Sequence, residues 1–383
     1  MSQSALTPLL PEVVSRNPPY VGLMSGTSVD AIDCALVHCD EAGVTLEATH
    51  RHPIPDAMRR ALKDLSRPGI DEIQRMGELD CALGQLFGEA TLELLDDAGV
   101  EAAGVAAIGC HGQTVRHVPP GEDPGFTVQI GDPNTIAEIS GITTVADFRR
   151  RDMACGGQGA PLAPAFHAAF FSAANIDRAI VNLGGIANIS LLRGNSLHAG
   201  YDTGPANTLL DHWHARHGRG PIDNGGEWAA GGRVLPDLLH DLMSDPFFAR
   251  RGPRSTGVEY FNLEWLDTKL QGYSGAGPRD VQATLAELTA ATVARALRDS
   301  DVAAGEIYVC GGGVHNLHLM QRLQSHVGGT PVASTDTLGL PPDWVEAAGF
   351  AWLARQRLAA QPGNEPRVTG AKGRRILGGV YLP

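Results

Sequence analysis

Two short strand–turn–strand patterns, far apart in one chain, constrain the fold more than any other feature of the sequence. In the first, apolar Tyr20–Met24 runs into Ser25-Gly26-Thr27-Ser28 and returns through the apolar run 35–37. In the second, residues 179–183 run into Gly184-Gly185 and return through 186–192. Apolar, β-branched runs on either side of small turn residues read as hairpins. The pattern occurs twice and is degenerate, so it is not a solenoid repeat. A duplicated fold with one hairpin in each of two lobes produces it. A chain of 383 residues is also too long for one ordinary core and suits two domains.

The segments between the hairpins alternate in character. Apolar residues recur at helical spacing over 76–98, ending before Gly99. Residues 105–108, 127–130 and 143–146 read as strands, and 162–174 as a helix. Asp280 is placed to cap a helix over 281–298, and Asp343 to cap one over 344–358. Strands at 307–310 and within 374–381 complete the reading, which is α/β. The expected division is a loose leader over 1–19, a first lobe over 20–148 and a second lobe over 149–360. A C-terminal segment, 361–383, returns to the first lobe.

Composition excludes several classes. Hydrophobic residues make up 43% and charged residues 19%, as in globular proteins. A formal net charge of -13 argues against non-specific binding to nucleic acid or anionic membranes. The six cysteines form no C-x-x-C pair, so free thiols in a reducing compartment are expected, without a disulfide framework or structural zinc. The N-terminus lacks the basic start and apolar core of a secretory signal, and no apolar run is long enough to span a bilayer. A cytoplasmic location is the expectation, and a homodimer a reasonable one.

Four motifs carry chemistry. The turn Ser25 to Ser28 offers N–H and O–H donors to a phosphate, with glycine letting the backbone approach. It is not a Walker A loop, and a hairpin turn needing small residues explains it equally well. Gly184-Gly185 has the same two readings. Gly311-Gly312-Gly313 follows a strand and precedes a helical pattern. It permits flat contact with a planar ring or simply a tight turn. Asp202, in Gly200-Tyr201-Asp202-Thr203-Gly204-Pro205, is a candidate base for deprotonating a nucleophile, or an Asx-turn or N-cap aspartate.

Other residues are more ambiguous. Glu346 is either a second acid or base or a glutamate favoured by a helix dipole. His111 and Gln113 either touch a sugar or end a strand. Arg149, Arg150 and Arg151 either hold a carboxylate or form a solvated or inter-lobe surface. Gly156 to Gly159 reads as a mobile connector as much as a ligand loop. His212, His214 and His217 do not share a helix face, which argues against a metal site.

Taken in order, the two hairpins and the triple glycine match the phosphate hairpins and adenosine loop of the actin-like ATPase superfamily. Longer motifs sharpen this. Gly22 to Asp30, His111-Gly112-Gln113-Thr114, Asp147 to Asp152, Gly159 to Pro164, Asn182 to Ile189 and Asp202-Thr203-Gly204-Pro205 occur together. The chain from about residue 20 onward resembles the anhydro-N-acetylmuramic acid kinases.

That resemblance implies a two-lobed actin-like (ribonuclease H-like) fold, each lobe a mixed sheet flanked by helices, with the active site in the cleft. It implies ATP and Mg2+ as cofactors. The implied reaction is hydrolytic opening of 1,6-anhydro-N-acetylmuramic acid with phosphorylation of O6, in cell-wall recycling. It gives the base role to Asp202 and a helper role to Glu346. Phosphate holding falls to Gly26, Thr27 and Ser28, with Asp30 and Asp33 nearby. Gly184, Gly185, Gly311, Gly312 and Gly313 would complete the nucleotide cleft. His111, Gln113 and Arg149 become candidate sugar contacts, the arginines toward the lactyl carboxylate. No magnesium cage is legible.

Two positions depart from the family pattern: Ala31 after Asp30 and Ala206 after Pro205, where glycine is common. A requirement for positive φ at either would strain the loop. Two other functions remain compatible with the residues: a conventional kinase of an open amino sugar, and a non-catalytic actin-like ATPase.

Overall fold

The computed structural model describes residues 17–40, 43–121, 125–250 and 254–383. Nearly all of the expected leader therefore lies outside the described residues.

The chain opens with β1 (Tyr20–Met24), β2 (Ala31–Cys39) and β3 (Val44–Pro53), then α1 (Asp56–Leu65) and α2 (Glu72–Ala98). Next come β4 (Ala107–Cys110), β5 (Gln113–Val118), β6 (Phe126–Ile130), α3 (Pro133–Ser140), β7 (Thr144–Ala146), α4 (Phe148–Met153) and α5 (Ala163–Phe171). The second hairpin begins β8 (Arg178–Leu183), β9 (Ile186–Arg193) and β10 (Ser196–Pro205), followed by α6 (Asn207–Arg216). Four short helices follow: α7 (Glu227–Ala230), α8 (Pro236–Met243), α9 (Pro246–Ala249) and α10 (Leu263–Leu270). The chain ends with α11 (Pro278–Arg298), β11 (Glu306–Cys310), α12 (Leu317–Val327), β12 (Val332–Ser334), α13 (Val345–Leu358), α14 (Pro366–Thr369) and β13 (Gly379–Tyr381).

The duplication is visible in the topology. The first sheet runs β13-β7-β4-β1-β2-β3 and the second β10-β9-β8-β11-β12. In each, three consecutive strands pair antiparallel, and the first of the three then pairs parallel with a later strand, which pairs parallel with another. β13 is an addition, antiparallel to β7 at the edge of the first sheet.

Helices cover both sheets. α2 packs outside the first sheet and α11 outside the second, each with a separate apolar core. Between the sheets, α13 lies on β1 and β4 while α5 lies on β9 and β10. The two helices meet in a third core. The approach of α13 depends on missing side chains. A Cβ on Gly22 would lie 1.8 Å from the Ala347 carbonyl oxygen, and one on Gly109 2.0 Å from that of Phe350. Gly22 thus serves helix packing rather than the turn that follows it.

Several local expectations need correction. α11 begins at Pro278, because proline's fixed φ suits the first helical position, so Asp280 sits in the first turn instead of capping. Its Oδ1 accepts from the Arg233 backbone N–H. α13 begins at Val345 after a 3-10 turn, Pro342–Trp344, and Asp343 bonds His315 Nε2 at 2.8 Å instead of capping. Asp202 is not in a turn but in β10, paired with Asn188 of β9, with a register shift between Asp202 and Gly204. Among the described residues, no helix is long and apolar enough to cross a membrane.

Candidate active site

The turn between β1 and β2 is closed by the Val29 N–H donating to the Gly26 carbonyl at 3.2 Å. Val29 has φ of 56°, an uncommon conformation for a β-branched residue. Its side chain is buried in the first lobe's core, which holds the turn in place. Thr27, Ser28 and Asp30 are left exposed, and a Cβ on Gly26 would meet nothing within 4 Å. Behind the turn, buried Ser25 donates to Gln113 Oε1 at 2.6 Å. Gln113 Nε2 donates to the Thr114 carbonyl. Gln113 therefore braces the turn with both ends of its amide.

The Gly184-Gly185 turn is held differently. The Gly184 carbonyl accepts from Asn207 N–H, and that of Gly185 accepts from Ala206 and Thr208 N–H. This locks the turn to the start of α6. A Cβ on Gly185 would lie 2.5 Å from Thr208 Oγ1 and 2.8 Å from Thr27 Oγ1. The two hairpin turns, one from each lobe, therefore meet at Gly185 and Thr27.

The three glycines after β11 have unequal roles. Gly311 has φ of 79°, and a Cβ there would lie 2.3 Å from Asn182 Oδ1. One on Gly313 would lie 2.4 Å from Leu183 Cβ. Both let the loop pack against β8. Gly312 alone is exposed, and a Cβ there would make only an ordinary contact with Asn207 Nδ2, at 3.9 Å. Neither Ala31 nor Ala206 has a positive φ, so the strain of a left-handed alanine does not arise at either.

Asp202 is buried. Its backbone N–H donates to the Arg254 carbonyl at 3.0 Å, and its carbonyl accepts from Arg254 Nε at 2.8 Å. Oδ2 accepts from the Thr256 N–H at 2.8 Å. Burial pushes its pKa up to about 7. The Thr256 hydrogen bond and the charges of Arg254 and Arg149 oppose that rise. A carboxylate poised there can take a proton near neutral pH.

Arg149 is the partly buried first arginine of its triplet. It contacts His111 Nε2 through Nε and Nη2, and it donates Nη1 to the Gly159 carbonyl. Burial lowers its pKa to about 10, while the charges of Glu346 and Asp202 act to raise it. Arg150 instead pairs with Asp147, and Arg151 is exposed. Glu346, on the first turn of α13, is raised in pKa by burial and by Asp33, against the opposing charge of Arg149. Asp33 is raised by burial although Arg51 donates to it at 2.8 Å.

Three side chains with no role assigned from sequence complete the site. Asn182, Asn188 and Asp202 are paired in register across β8, β9 and β10, so they share one face of the sheet. Asn182 Nδ2 donates to Glu346 Oε1 at 3.5 Å. Oδ1 of both asparagines is buried without a hydrogen-bond partner among the described residues. Asp211 of α6 has a pKa raised to about 7, first by burial and then by Asp223 and by Asp30 of the opposite lobe. An asparagine inside an apolar strand run was the available signal. Asp211 gave none, because its neighbours come from distant parts of the chain.

The Asp202 and Glu346 carboxyls are thus coupled through the Arg149 charge, and separately the two hairpin turns of the duplicated sheets meet at Gly185 and Thr27. These features define a two-lobed α/β protein built on a duplicated sheet. The chain belongs to the anhydro-N-acetylmuramic acid kinase family, whose model matches residues 18–383. It is 51% identical over 364 residues to an anhydro-N-acetylmuramic acid kinase from Coxiella burnetii, covering 94% of this chain and 97% of the relative. Relatives of the same name from Saccharophagus degradans and Pseudomonas fluorescens are 49% and 48% identical, with 95% and 94% of this chain and 99% of each relative covered. Among solved structures, component A of (R)-2-hydroxyglutaryl-CoA dehydratase from Acidaminococcus fermentans aligns over 89% of this chain and 99% of its own. It does so at 12% identity and a TM-score of 0.46.

Proposed function

We propose that this chain uses ATP to phosphorylate O6 of 1,6-anhydro-N-acetylmuramic acid while water opens the anhydro bridge. The products are N-acetylmuramic acid 6-phosphate and ADP, in cell-wall recycling. Membership of the family supports the substrate. The buried Asp202, with its pKa raised to about 7, is the observation that carries the chemistry.

In this reading Asp202 accepts one proton from a water whose oxygen bonds to the anomeric carbon. The bond from that carbon to O6 breaks as the new one forms. O6 takes the electron pair and attacks the γ-phosphorus, and ADP leaves with the pair of the broken P–O bond. Arg149, fixed by His111 and Gly159, offers positive charge to anionic sugar or phosphate groups. Thr27, Ser28 and the glycine turns accommodate the nucleotide phosphates. Gly312 leaves space for the base.

Asp30, Asp33 and Asp211 suit magnesium, because burial and then nearby carboxylates, Asp30 among them in both cases, raise the pKa values of Asp33 and Asp211, a cost a divalent cation relieves. These three would hold it, through water in part, and its chemistry is to neutralise phosphate charge.

The test is mass spectrometry of the product formed from the anhydro sugar with ATP and magnesium in ¹⁸O-labelled water. One label at the anomeric carbon and none on the phosphate supports coupled hydrolysis and transfer. Phosphorylation of an open amino sugar, with the anhydro sugar inert, would replace this reading with that of a conventional kinase.

A further inference from the structure

Behind the first lobe's sheet, away from the hairpin turns, β3 and α2 bring two imidazoles and two carboxylates together. His50 and His52 alternate with Arg51 along β3, so both face α2 while Arg51 faces the other way, toward Asp33. Glu93 and Asp97 stand one turn apart on α2. Glu93 Oε2 is 3.0 Å from His52 Nδ1 and 3.0 Å from His50 Nε2. His50 Nδ1 is 3.2 Å from Asp97 Oδ2. One ligand atom from each of His50, His52 and Glu93 falls within 4.8 Å of the others.

The detail that points to an ion is His50. Its Nδ1 donates to the Asp97 carboxylate, so in the neutral ring the lone pair is on Nε2. Nε2 is buried and only 3.0 Å from Glu93 Oε2, but the two are too poorly aligned for a good hydrogen bond. With the ring neutral, two lone pairs face each other at that distance and repel unless a proton or a metal ion lies between them. A carboxylate holding the far nitrogen of a histidine, with the near nitrogen unpartnered, is the arrangement that supports metal-bound histidine. Ligands at about 2.0–2.1 Å from a tetrahedral ion stand roughly 3.3 Å apart. The three ligand atoms here lie within 4.8 Å of one another, so the side chains would have to close in on an ion.

We propose that His50, His52 and Glu93 bind one zinc ion, with Asp97 orienting His50 and water or another ligand in the fourth position. Two imidazoles with one carboxylate favour zinc or its late first-row neighbours over magnesium or calcium. The ion joins β3 to α2, behind the strand position from which Arg51 holds Asp33.

Chelator-treated full-length chain is titrated with zinc in a calorimeter, with millimolar magnesium present. Cys81, exposed on the same helix, is first changed to serine so that its thiol does not contribute. One zinc per chain is expected. His52→Gln should remove that stoichiometric event, and Asp97→Asn should weaken it about tenfold with the stoichiometry kept. Cobalt in place of zinc should give the visible bands of a tetrahedral site in the parent and none in His52→Gln. Metal-free melting curves of all variants establish that they are folded. Absence of binding at micromolar zinc overturns the proposal. So does a zinc stoichiometry that His52→Gln and Glu93→Gln leave unchanged. If the cluster is only a set of ion pairs, zinc will not raise the melting temperature of the parent, and that too overturns the proposal.

Discussion

Arg149 addresses one imidazole nitrogen twice, placing Nε at 3.0 Å and Nη2 at 2.9 Å from His111 Nε2. A guanidinium can only donate, so Nε2 must present its lone pair and the ring proton must sit on Nδ1. Nδ1 is 2.8 Å from the Gly112 carbonyl, which accepts that proton. Burial and the charge of Arg149 both push the His111 pKa well below its ordinary value. His111 is thus a neutral acceptor throughout the physiological range, and its work is to hold Arg149.

Replacing His111 with leucine keeps the volume and removes the acceptor. The guanidinium loses two of its three contacts beside Glu346 and Asp202. The expected result is a kcat/KM lower by about 10- to 100-fold, as for leaving a buried donor unpaired. His111→Gln, whose amide oxygen can accept, should recover part of that. Steady-state kinetics on the two variants decides it, since equal losses would mean that the ring merely fills space.

The base role proposed for Asp202 predicts the pH profile. A base with a pKa near 7 loses activity as pH falls, so kcat/KM should drop about tenfold per unit below that value. Asp202→Asn should reduce turnover by about 10²–10⁴-fold and leave ATP affinity nearly unchanged. Stability gives a separate check. The folded-state pKa is raised, so the protonated acid favours folding at low pH and that contribution disappears as pH rises through about 7. The asparagine variant should therefore be more stable than the parent above pH 7, by up to roughly 4 kcal/mol, and should lose the advantage in acid. Melting curves at pH 5 and pH 8 measure this.

The hairpin turns were legible because small residues between apolar runs have few other uses. The duplicated strand order was legible only as a hint, since β3 and β10 carry polar residues on a face that the sequence does not reveal as half-covered. Asp202 reads as a turn residue from its glycine and proline neighbours. Pairing with β9 and contact with residues 254–256 make it a strand residue, and both depend on chain more than ten residues away. The arginine triplet hides one inward side chain among three because α4 is only six residues long and shows no periodicity. Gly22 sits in a motif that suggests phosphate binding. Its purpose is set by α13, over three hundred positions later.

That purpose separates two glycines only four residues apart. Gly22→Ala would push a methyl to 1.8 Å from the backbone oxygen of Ala347, and backbone cannot swing aside. The first turn of α13, with Glu346, must move. A loss of stability at or above the usual 1–3 kcal/mol of overpacking is expected, with activity falling as well. Gly26→Ala meets nothing within 4 Å, so its melting temperature should stay at the parent value while KM for ATP rises. Thermal denaturation alongside ATP kinetics tests the pair. A Gly22→Ala variant as stable as the parent would mean that α13 does not lie against β1.

Asn182 and Asn188 make the same division from the opposite side. Each has a buried carbonyl oxygen that no described residue satisfies, on the sheet face that carries Asp202. An unpaired buried acceptor costs the folded state about 1–3 kcal/mol, so it persists where a ligand or water uses it. Asn188→Ala should therefore leave stability equal or slightly higher, while kcat/KM falls by about 10- to 100-fold. A purely structural asparagine would behave the other way, losing stability first and activity only in proportion. Measuring both on the same preparation separates the two, because loss of activity in a chain that melts no earlier can come only from the site.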